Sequence, residues 1–320
     1  MHSIIIITTA ATSTIYPLDT IILLYIALLF GINNAGIAVA NMLASGFNYR
    51  ISVSISALGF IAGALLEGWK MGSVIMLEDY TTTSVVTAIM LSIFSFLHIP
   101  VSMVNIIFAS YIGSTIETTP ATNTASVIAW WIITPFIALL TTISLYHIIV
   151  RFTTRLSLIN LFRFYSLMLP VVTFYASYTI GANNLGLLYS MSNRYIAVDD
   201  TPTPALANGI YMMLAILLVF VIGMIKGRST TRFLSEEVVG YTPATILSGI
   251  SSSSIILWLS TQMQIPLPFS QMLISSLIGI NMIRKPHVYN KRSLLLLVSS
   301  WLGSTLLSFI ITFAITNYIN

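Results

Sequence analysis

The chain has 320 residues, of which 57% are hydrophobic and only 7% are charged, and its mean hydropathy is +0.94. Soluble domains carry roughly 25% charged residues, so this composition excludes a soluble protein and indicates an integral membrane protein. The net charge of +4 comes from few residues, which we interpret as topology signals and not as a nucleic-acid-binding surface. The absence of cysteine excludes disulfides, thiolate metal ligands and cysteine nucleophiles.

Apolar runs of roughly 17–25 residues predict ten membrane segments, all of them helical. Their limits are 18–45, 51–69, 82–98, 99–118, 126–150, 162–190, 204–225, 243–262, 265–283 and 293–318. The fourth and ninth segments follow their predecessors almost without a loop, so each is either a full span or half of a helical hairpin. The predicted fold class is therefore all-α, a polytopic membrane protein with broken or hairpin helices near the midplane.

The charged loops predict the orientation in the cell membrane. Basic residues are concentrated in loops 151–163, 226–232 and 284–292. By the positive-inside rule these three loops face the cytoplasm. The acidic loops at 78–79 and 199–200 then fall outside. Ten alternating segments satisfy all of these assignments and put both termini outside.

The two halves of the chain share two landmarks. The hexapeptide Gly-x-Asn-Asn-x-Gly occurs as GINNAG at 31–36 and as GANNLG at 181–186. An Ile-Pro pair, followed by an apolar stretch and an Ile-Gly pair, occurs at 99–113 and again at 265–279. The chain is therefore predicted to be an internal duplication.

The repeats must be inverted, because five segments in each half is an odd number. The proposed halves are residues 1–160 and 161–320 of one membrane domain. The loop charges agree, since the loop after the second segment is acidic and its counterpart after the seventh is basic. Inverted repeats with broken helices at a central solute site are typical of secondary transporters.

The hexapeptides indicate a polar site inside the membrane, because an unpaired carboxamide is costly in lipid. The glycines are predicted to break the helices and free backbone amides: Gly31, Gly36, Gly181 and Gly186. The asparagines are predicted to bind the solute or its co-ion: Asn33, Asn34, Asn183 and Asn184. Their amides could hold an oxyanion, and the carbonyl oxygens of Asn33 and Asn183 could instead hold Na⁺. The alternative is that the glycines permit close packing and the asparagines join helices.

The second landmark predicts two further helix starts with polar residues beside them. Pro100 and Pro266 each begin an apolar stretch, and proline is well tolerated in a first helical turn. A helix that starts at depth offers its N-terminus to an anion. The polar residues predicted to line that site are Ser102, Asn105, Ser270 and Gln271. The alternative is an ordinary helix with polar residues at the interface.

Two titratable residues are further candidates. Glu67, in the stretch GALLEG at 63–68, could carry a proton or form an interfacial pair with Lys70. His98 could titrate near neutral pH, although Gln264 fills the matching place. No catalytic or metal-binding set of residues is apparent, so we expect neither an enzyme nor a bound cofactor.

These motifs resemble those of the inorganic phosphate transporter family, including its sulfate permease branch. GINNAG and GANNLG are similar to the GANDxxN-type motif that the family carries in each repeat, and GALLEG is similar to its GALLLG-like stretch. The segment at 100–105 partly matches the PVSTTH-type motif, and the segment at 266–271 looks more like the PVPLAQ form of sulfate permeases. The resemblance implies an inverted-repeat transporter with phosphate as the default substrate.

The chain departs from the family at four positions. Asn34 and Asn184 stand where the family has an aspartate, which in phosphate members helps to bind Na⁺. Asn105 and Gln271 stand where it has a histidine. Sulfate only accepts hydrogen bonds and suits a site of donors alone, whereas phosphate at neutral pH still donates one. The departures count against Na⁺ coupling and lean toward sulfate. With phosphate as the family default, we expect sulfate nearly as much as phosphate.

We therefore expect a secondary transporter that imports an inorganic oxyanion by alternating access. The co-transported cation is expected to be H⁺ more than Na⁺, and association as a homodimer is left open. The alternative function is an anion channel or uniporter without cation coupling.

Overall fold

The structure, a computed structural model, describes residues 2–33, 36–72, 74, 80–97, 99, 101–116, 121–192, 202–233, 242–283 and 291–318. These residues form helices, turns and short extended segments, with no strand among them. The first seven helices are α1 (His2–Asn33), α2 (Gly36–Ala44), α3 (Tyr49–Glu67), α4 (Tyr80–Phe96), α5 (Met103–Thr115), α6 (Ala121–Thr153) and α7 (Leu158–Ile180). The others are α8 (Gly186–Ser192), α9 (Pro202–Lys226), α10 (Arg228–Phe233), α11 (Pro243–Gln262), α12 (Phe269–Ile283) and α13 (Lys291–Tyr318).

The apolar helices confirm a polytopic all-α membrane fold. Six stretches are long and apolar enough to cross a membrane: Leu18–Ala44, Tyr49–Met71, Thr124–Thr153, Leu158–Met191, Pro243–Gln262 and Leu295–Tyr318. Four shorter apolar helices lie at Thr81–Phe96, Met103–Thr115, Ile210–Lys226 and Phe269–Ile280. In chain order, these ten stretches coincide with the ten segments predicted from the sequence.

The fourth and ninth segments form short helices that pack against the helices before them. Helix α5 has 13 residues and α12 has 15, which give lengths of about 20 Å and about 22 Å. Both are shorter than the roughly 30 Å of a hydrocarbon core. Helix α5 packs against α4, and α12 packs against α11. We call these pairs the first hairpin (α4–α5) and the second hairpin (α11–α12).

The hairpin helices begin later than the prolines suggested. Helix α5 begins at Met103 and α12 at Phe269, three residues after Pro266. The expectation that Pro266 starts a helix is therefore wrong, because residues 265–268 have no helical structure and lead into α12. Pro100 and His98 lie outside the described residues.

The packing of the helices repeats between the halves. Helix α1 packs against α9, and α7 packs against α3. Helix α5 packs against α13, and α12 packs against α6. In the sequence repeat α1 corresponds to α7, α3 to α9, α5 to α12 and α6 to α13, so each contact has its counterpart. Both halves therefore contribute to every one of these interfaces.

One glycine of each hexapeptide lies against the backbone of the facing helix. A Cβ atom on Gly31 would overlap the carbonyl oxygen of Phe220 in α9, and one on Gly181 would overlap that of Phe60 in α3. The rings of Phe60 and Phe220 meet edge to face, with centroids 4.8 Å apart, and both side chains are fully buried. The two hexapeptides are therefore connected through one buried pair of phenylalanines.

The glycines of the second hexapeptide lie in continuous helical structure, where the sequence predicted a break. Residues Gly181–Leu185 form a π-helical turn that joins α7 to α8, and Gly181 and Gly186 keep helical φ angles of −59° and −58°. The N–H of Gly181 bonds to the carbonyls of Ser177 and Tyr178. The N–H of Gly186 bonds to the carbonyls of Asn183 and Gly181, so the helical hydrogen bonding continues at both glycines. In the first half, Gly31 lies inside α1 and Gly36 begins α2, while residues 34–35 lie outside the described part.

Candidate functional site

Asn33, at the end of α1, binds the tip of the first hairpin, which is the segment between α4 and α5. Its Nδ2 donates a hydrogen bond to the carbonyl oxygen of Ile99 at 3.1 Å, and its Oδ1 accepts one from the backbone N–H of Val101 at 3.0 Å. The side chain is fully buried. Because one partner is an acceptor and the other a donor, they fix the orientation of the carboxamide.

Asn183 does the same for the second hairpin. Its Nδ2 donates to the carbonyl oxygen of Ile265 at 3.0 Å, and its Oδ1 accepts from the N–H of Leu267 at 3.2 Å. Its Nδ2 also lies 3.1 Å from Thr261 Oγ1 and 3.3 Å from Ser260 Oγ. The two asparagines are 150 positions apart and their targets 166 apart, which are the spacings of the two landmarks. We call each of these arrangements a carboxamide clamp.

The clamps give Asn33 and Asn183 a positioning role. Both polar atoms of each side chain already bind backbone groups of a hairpin tip. Each carbonyl oxygen retains one lone pair, which is a small contribution to a Na⁺ site. Binding of a solute or of Na⁺ by these two residues stays a prediction.

The second asparagine of the motif has a different environment. Asn184 is 5% exposed, and its buried Oδ1 has no hydrogen-bond partner among the described residues. A buried acceptor without a partner costs about 1–3 kcal/mol. Asn184 is therefore the asparagine of this motif that is suited to a ligand. Asn34, at the matching position of the first half, lies outside the described residues.

The predicted polar residues of the hairpins lie at the starts of α5 and α12. Ser102 caps α5, since its hydroxyl accepts from the N–H of Asn105 at 3.3 Å and donates to Asn105 Oδ1 at 3.1 Å. Both residues are buried. Because Ser102 Oγ and Asn105 Oδ1 bond to each other, the NH₂ group of Asn105 is the part of this pair that an anion could meet. In the first turn of α12, Ser270 is buried and Gln271 is half-buried. The clamps thus hold Asn33 and Asn183 at the tips that lead into the polar residues of their own hairpins.

Sequence reasoning missed a polar cluster around Glu67. The expected pair with Lys70 is present, with Nζ 3.1 Å from Oε2. The carboxylate also accepts from Tyr178 Oη at 2.8 Å, from Gln262 Nε2 at 2.7 Å and from Trp258 Nε1 at 3.3 Å. Three helices supply these groups, so no local sequence pattern could have assembled them. We call these five residues the Glu67 cluster.

Comparisons with known proteins agree with this fold. No family model matches the chain. The chain is 24% identical over 279 residues to the sulfate permease CysP of Bacillus subtilis (strain 168), which covers 82% of this chain and 76% of that protein. A solved structure of a sodium-dependent phosphate transporter matches with a TM-score of 0.76 and 14% identity, over 95% of this chain and 98% of the other. Both findings confirm the resemblance to phosphate and sulfate transporters, and neither protein is named as an enzyme.

Proposed function

We propose that this multi-pass membrane protein imports an inorganic oxyanion, phosphate or sulfate, across the cell membrane. The observation that carries the proposal is the pair of carboxamide clamps, because they hold two hairpin tips at corresponding places in the two halves. Each tip leads into the N-terminus of a buried helix, which is a favourable place for an anion. The similarity to a sulfate permease supports the same substrate class.

The binding site in this proposal consists of neutral groups. The donors are the amides of Asn105, Asn184 and Gln271, the hydroxyl of Ser270 and the first N–H groups of α5 and α12. Neutral donors can surround an oxyanion without the cost of burying a lysine or an arginine. Asn33 and Asn183 position these groups indirectly, by holding the hairpin tips that lead into them.

The carbonyl of Asn184 bears on the choice between the two oxyanions. Its unpartnered oxygen is an acceptor, and sulfate at neutral pH has no hydrogen to give it. A monohydrogen phosphate has one, so this atom favours phosphate, whereas the sequence relative is a sulfate permease. A co-transported cation at the same oxygen would remove the conflict for sulfate.

We also propose transport by alternating access between inverted repeats 1–160 and 161–320, with loops 151–163, 226–232 and 284–292 at the cytoplasm. A hairpin that enters and leaves the membrane on one side returns the chain to that side, as two full crossings also would. The side predicted for each loop from ten crossings therefore stays the same. The first hairpin then enters from outside and the second from the cytoplasm. Membrane-impermeant labelling of a cysteine placed at Arg155, in the loop between α6 and α7, checks this orientation, and labelling from outside would contradict it.

The coupling ion is proposed to be H⁺ more than Na⁺. A divalent anion that enters against a negative-inside potential faces about 2.3 kcal/mol per charge per 100 mV, so accumulation needs co-transported cations. Four donors converge on Glu67, and a proton there would displace one of them, so the proton is better carried by phosphate itself or by His98.

The test is uptake of radiolabelled phosphate and sulfate into proteoliposomes under imposed H⁺ or Na⁺ gradients. We expect accumulation above the equilibrium level when the pH gradient is present and Na⁺ is replaced by choline. Uptake that collapses without Na⁺ and ignores the pH gradient would contradict H⁺ coupling. Uptake that only follows the membrane potential, with no dependence on either cation, would support the channel or uniporter instead.

A further inference from the structure

The Glu67 cluster joins the two halves of the molecule through one carboxylate. Glu67 and Lys70 belong to the first half, at the end of α3 and in the turn after it, whereas Tyr178, Trp258 and Gln262 belong to the second. Lys70 Nζ also donates to Gln262 Oε1 at 2.7 Å. The side chains of Glu67 and Lys70 are 17% and 25% exposed, so the cluster is only partly desolvated.

The cluster holds the last turns of α11, from which the tip of the second hairpin follows. Trp258 and Gln262 are four residues apart and share one face of α11. The clamp residue Asn183 reaches the same turn on a different face, through Ser260 and Thr261. The end of α11 is therefore held twice, once by a neutral amide and once by an ion pair with its hydrogen bonds.

The first hairpin lacks this second attachment in the described part of the chain. The residues that match Tyr178, Trp258 and Gln262 by the landmark spacings are Leu28, Ser92 and Phe96. The bond at that level joins the hydroxyls of Tyr25 and Ser92 at 2.9 Å, and Phe96 is 83% exposed. The clamps are symmetric between the halves, whereas the charged attachment is present on the second hairpin alone among the described residues.

We propose that Glu67 is a positioning residue that latches the second hairpin to the first half, and that the second hairpin moves away from its clamp only when this latch opens. The inference rests on the proposed transport function, in which one hairpin must move relative to the other half. Four donors, from α7, α11 and the turn after α3, meet at Glu67, so its loss affects all of these contacts together. The latch biases the transporter toward the state in which the second tip is closed.

The absence of cysteine makes the test direct, since a single introduced thiol is the sole target of a maleimide. Leu267, in the second tip, and Val101, at the matching position of the first tip, are each 1% exposed. Leu267→Cys therefore reports opening of the second tip, and Val101→Cys is the matched control. The labelling rate of each is measured in proteoliposomes, with and without Glu67→Gln.

We expect Glu67→Gln to raise the labelling rate at position 267 about tenfold, which corresponds to about 1.4 kcal/mol, with little change at position 101. Tyr178→Phe, which removes one donor and keeps the ring, is expected to give a smaller increase at 267 and serves if Glu67→Gln fails to fold. Adding Gln262→Glu to Glu67→Gln returns a carboxylate to Lys70 and is expected to reverse part of the increase.

An unchanged labelling rate at position 267 in both Glu67→Gln and Tyr178→Phe would overturn the proposal. An equal rise at positions 267 and 101 would also overturn it, because it would report a general loosening of the protein. Labelling needs no substrate, so it reads the latch even if no oxyanion is transported. Failure of the proposed function would instead appear as absent uptake by the unmodified protein with the latch result intact.

Discussion

Two adjacent asparagines in one motif differ in their hydrogen bonding. Asn183 has its amide and carbonyl bound to Ile265 and Leu267, whereas Asn184 has a buried carbonyl without a described partner. The sequence predicted that the Asn-Asn pair matters, because carboxamides are costly in lipid. It could not separate the two roles, since the backbone partners of Asn183 lie more than 80 positions away.

Leucine substitutions at these two positions are expected to separate stability from transport. Asn183→Leu leaves a buried N–H and a buried carbonyl without partners, so we expect the free energy of unfolding to fall by about 2–4 kcal/mol. Asn184→Leu removes an unpaired polar group, so we expect no loss of stability. Thermal unfolding of the two purified variants in the same detergent measures the difference. Equal destabilisation would show that Asn184 also has a structural role.

Asn184→Asp is expected to change the substrate preference. A carboxylate accepts the hydrogen bond that monohydrogen phosphate can donate, and it repels sulfate, which cannot donate one. We expect the ratio of phosphate to sulfate uptake to rise about tenfold, the scale of one charge-assisted hydrogen bond. Competition between the two labelled anions in proteoliposomes gives the ratio. A ratio that stays constant or falls would place Asn184 away from the oxyanion.

At the scale of helices, hydropathy predicted all ten apolar segments and the hexapeptides predicted their internal repeat. The same reasoning placed a helix start at Pro266 and breaks at Gly181 and Gly186. Local sequence could not resolve these details, because Asn183 holds residues 265–267 from another helix and the π turn depends on packing against α3. Local sequence could not predict the Glu67 cluster for the same reason.

Glycine contacts give a prediction for helix packing. Gly31→Ala and Gly181→Ala would each drive a methyl group into a backbone carbonyl of the facing helix, which cannot move as a side chain can. We expect each to lower the free energy of unfolding by more than about 1 kcal/mol. Gly303→Ala in α13 is the matched control, because a Cβ there meets no atom within 4 Å. An equal fall in the stability of all three variants, measured by thermal unfolding, would contradict the packing argument.

For the whole molecule, the exchange of partners between halves is the property that bears most on transport. Helices α1 and α5 of the first half pack against α9 and α13 of the second, and α7 and α12 pack against α3 and α6 in return. Movement of either hairpin therefore changes contacts in both halves. The symmetric clamps provide two equivalent tips, and the Glu67 cluster makes the second one harder to release.

Asn184 and the clamped hairpin tips are proposed to form an oxyanion transport site. The most direct test is the initial rate of labelled phosphate and sulfate uptake by proteoliposomes that contain equal amounts of the folded unmodified protein or of Asn184→Leu. We expect uptake of at least one of the two anions by the unmodified protein and a fall of about tenfold or more in the variant. Equal uptake by the two proteins, or none by the unmodified protein above empty vesicles, would contradict it.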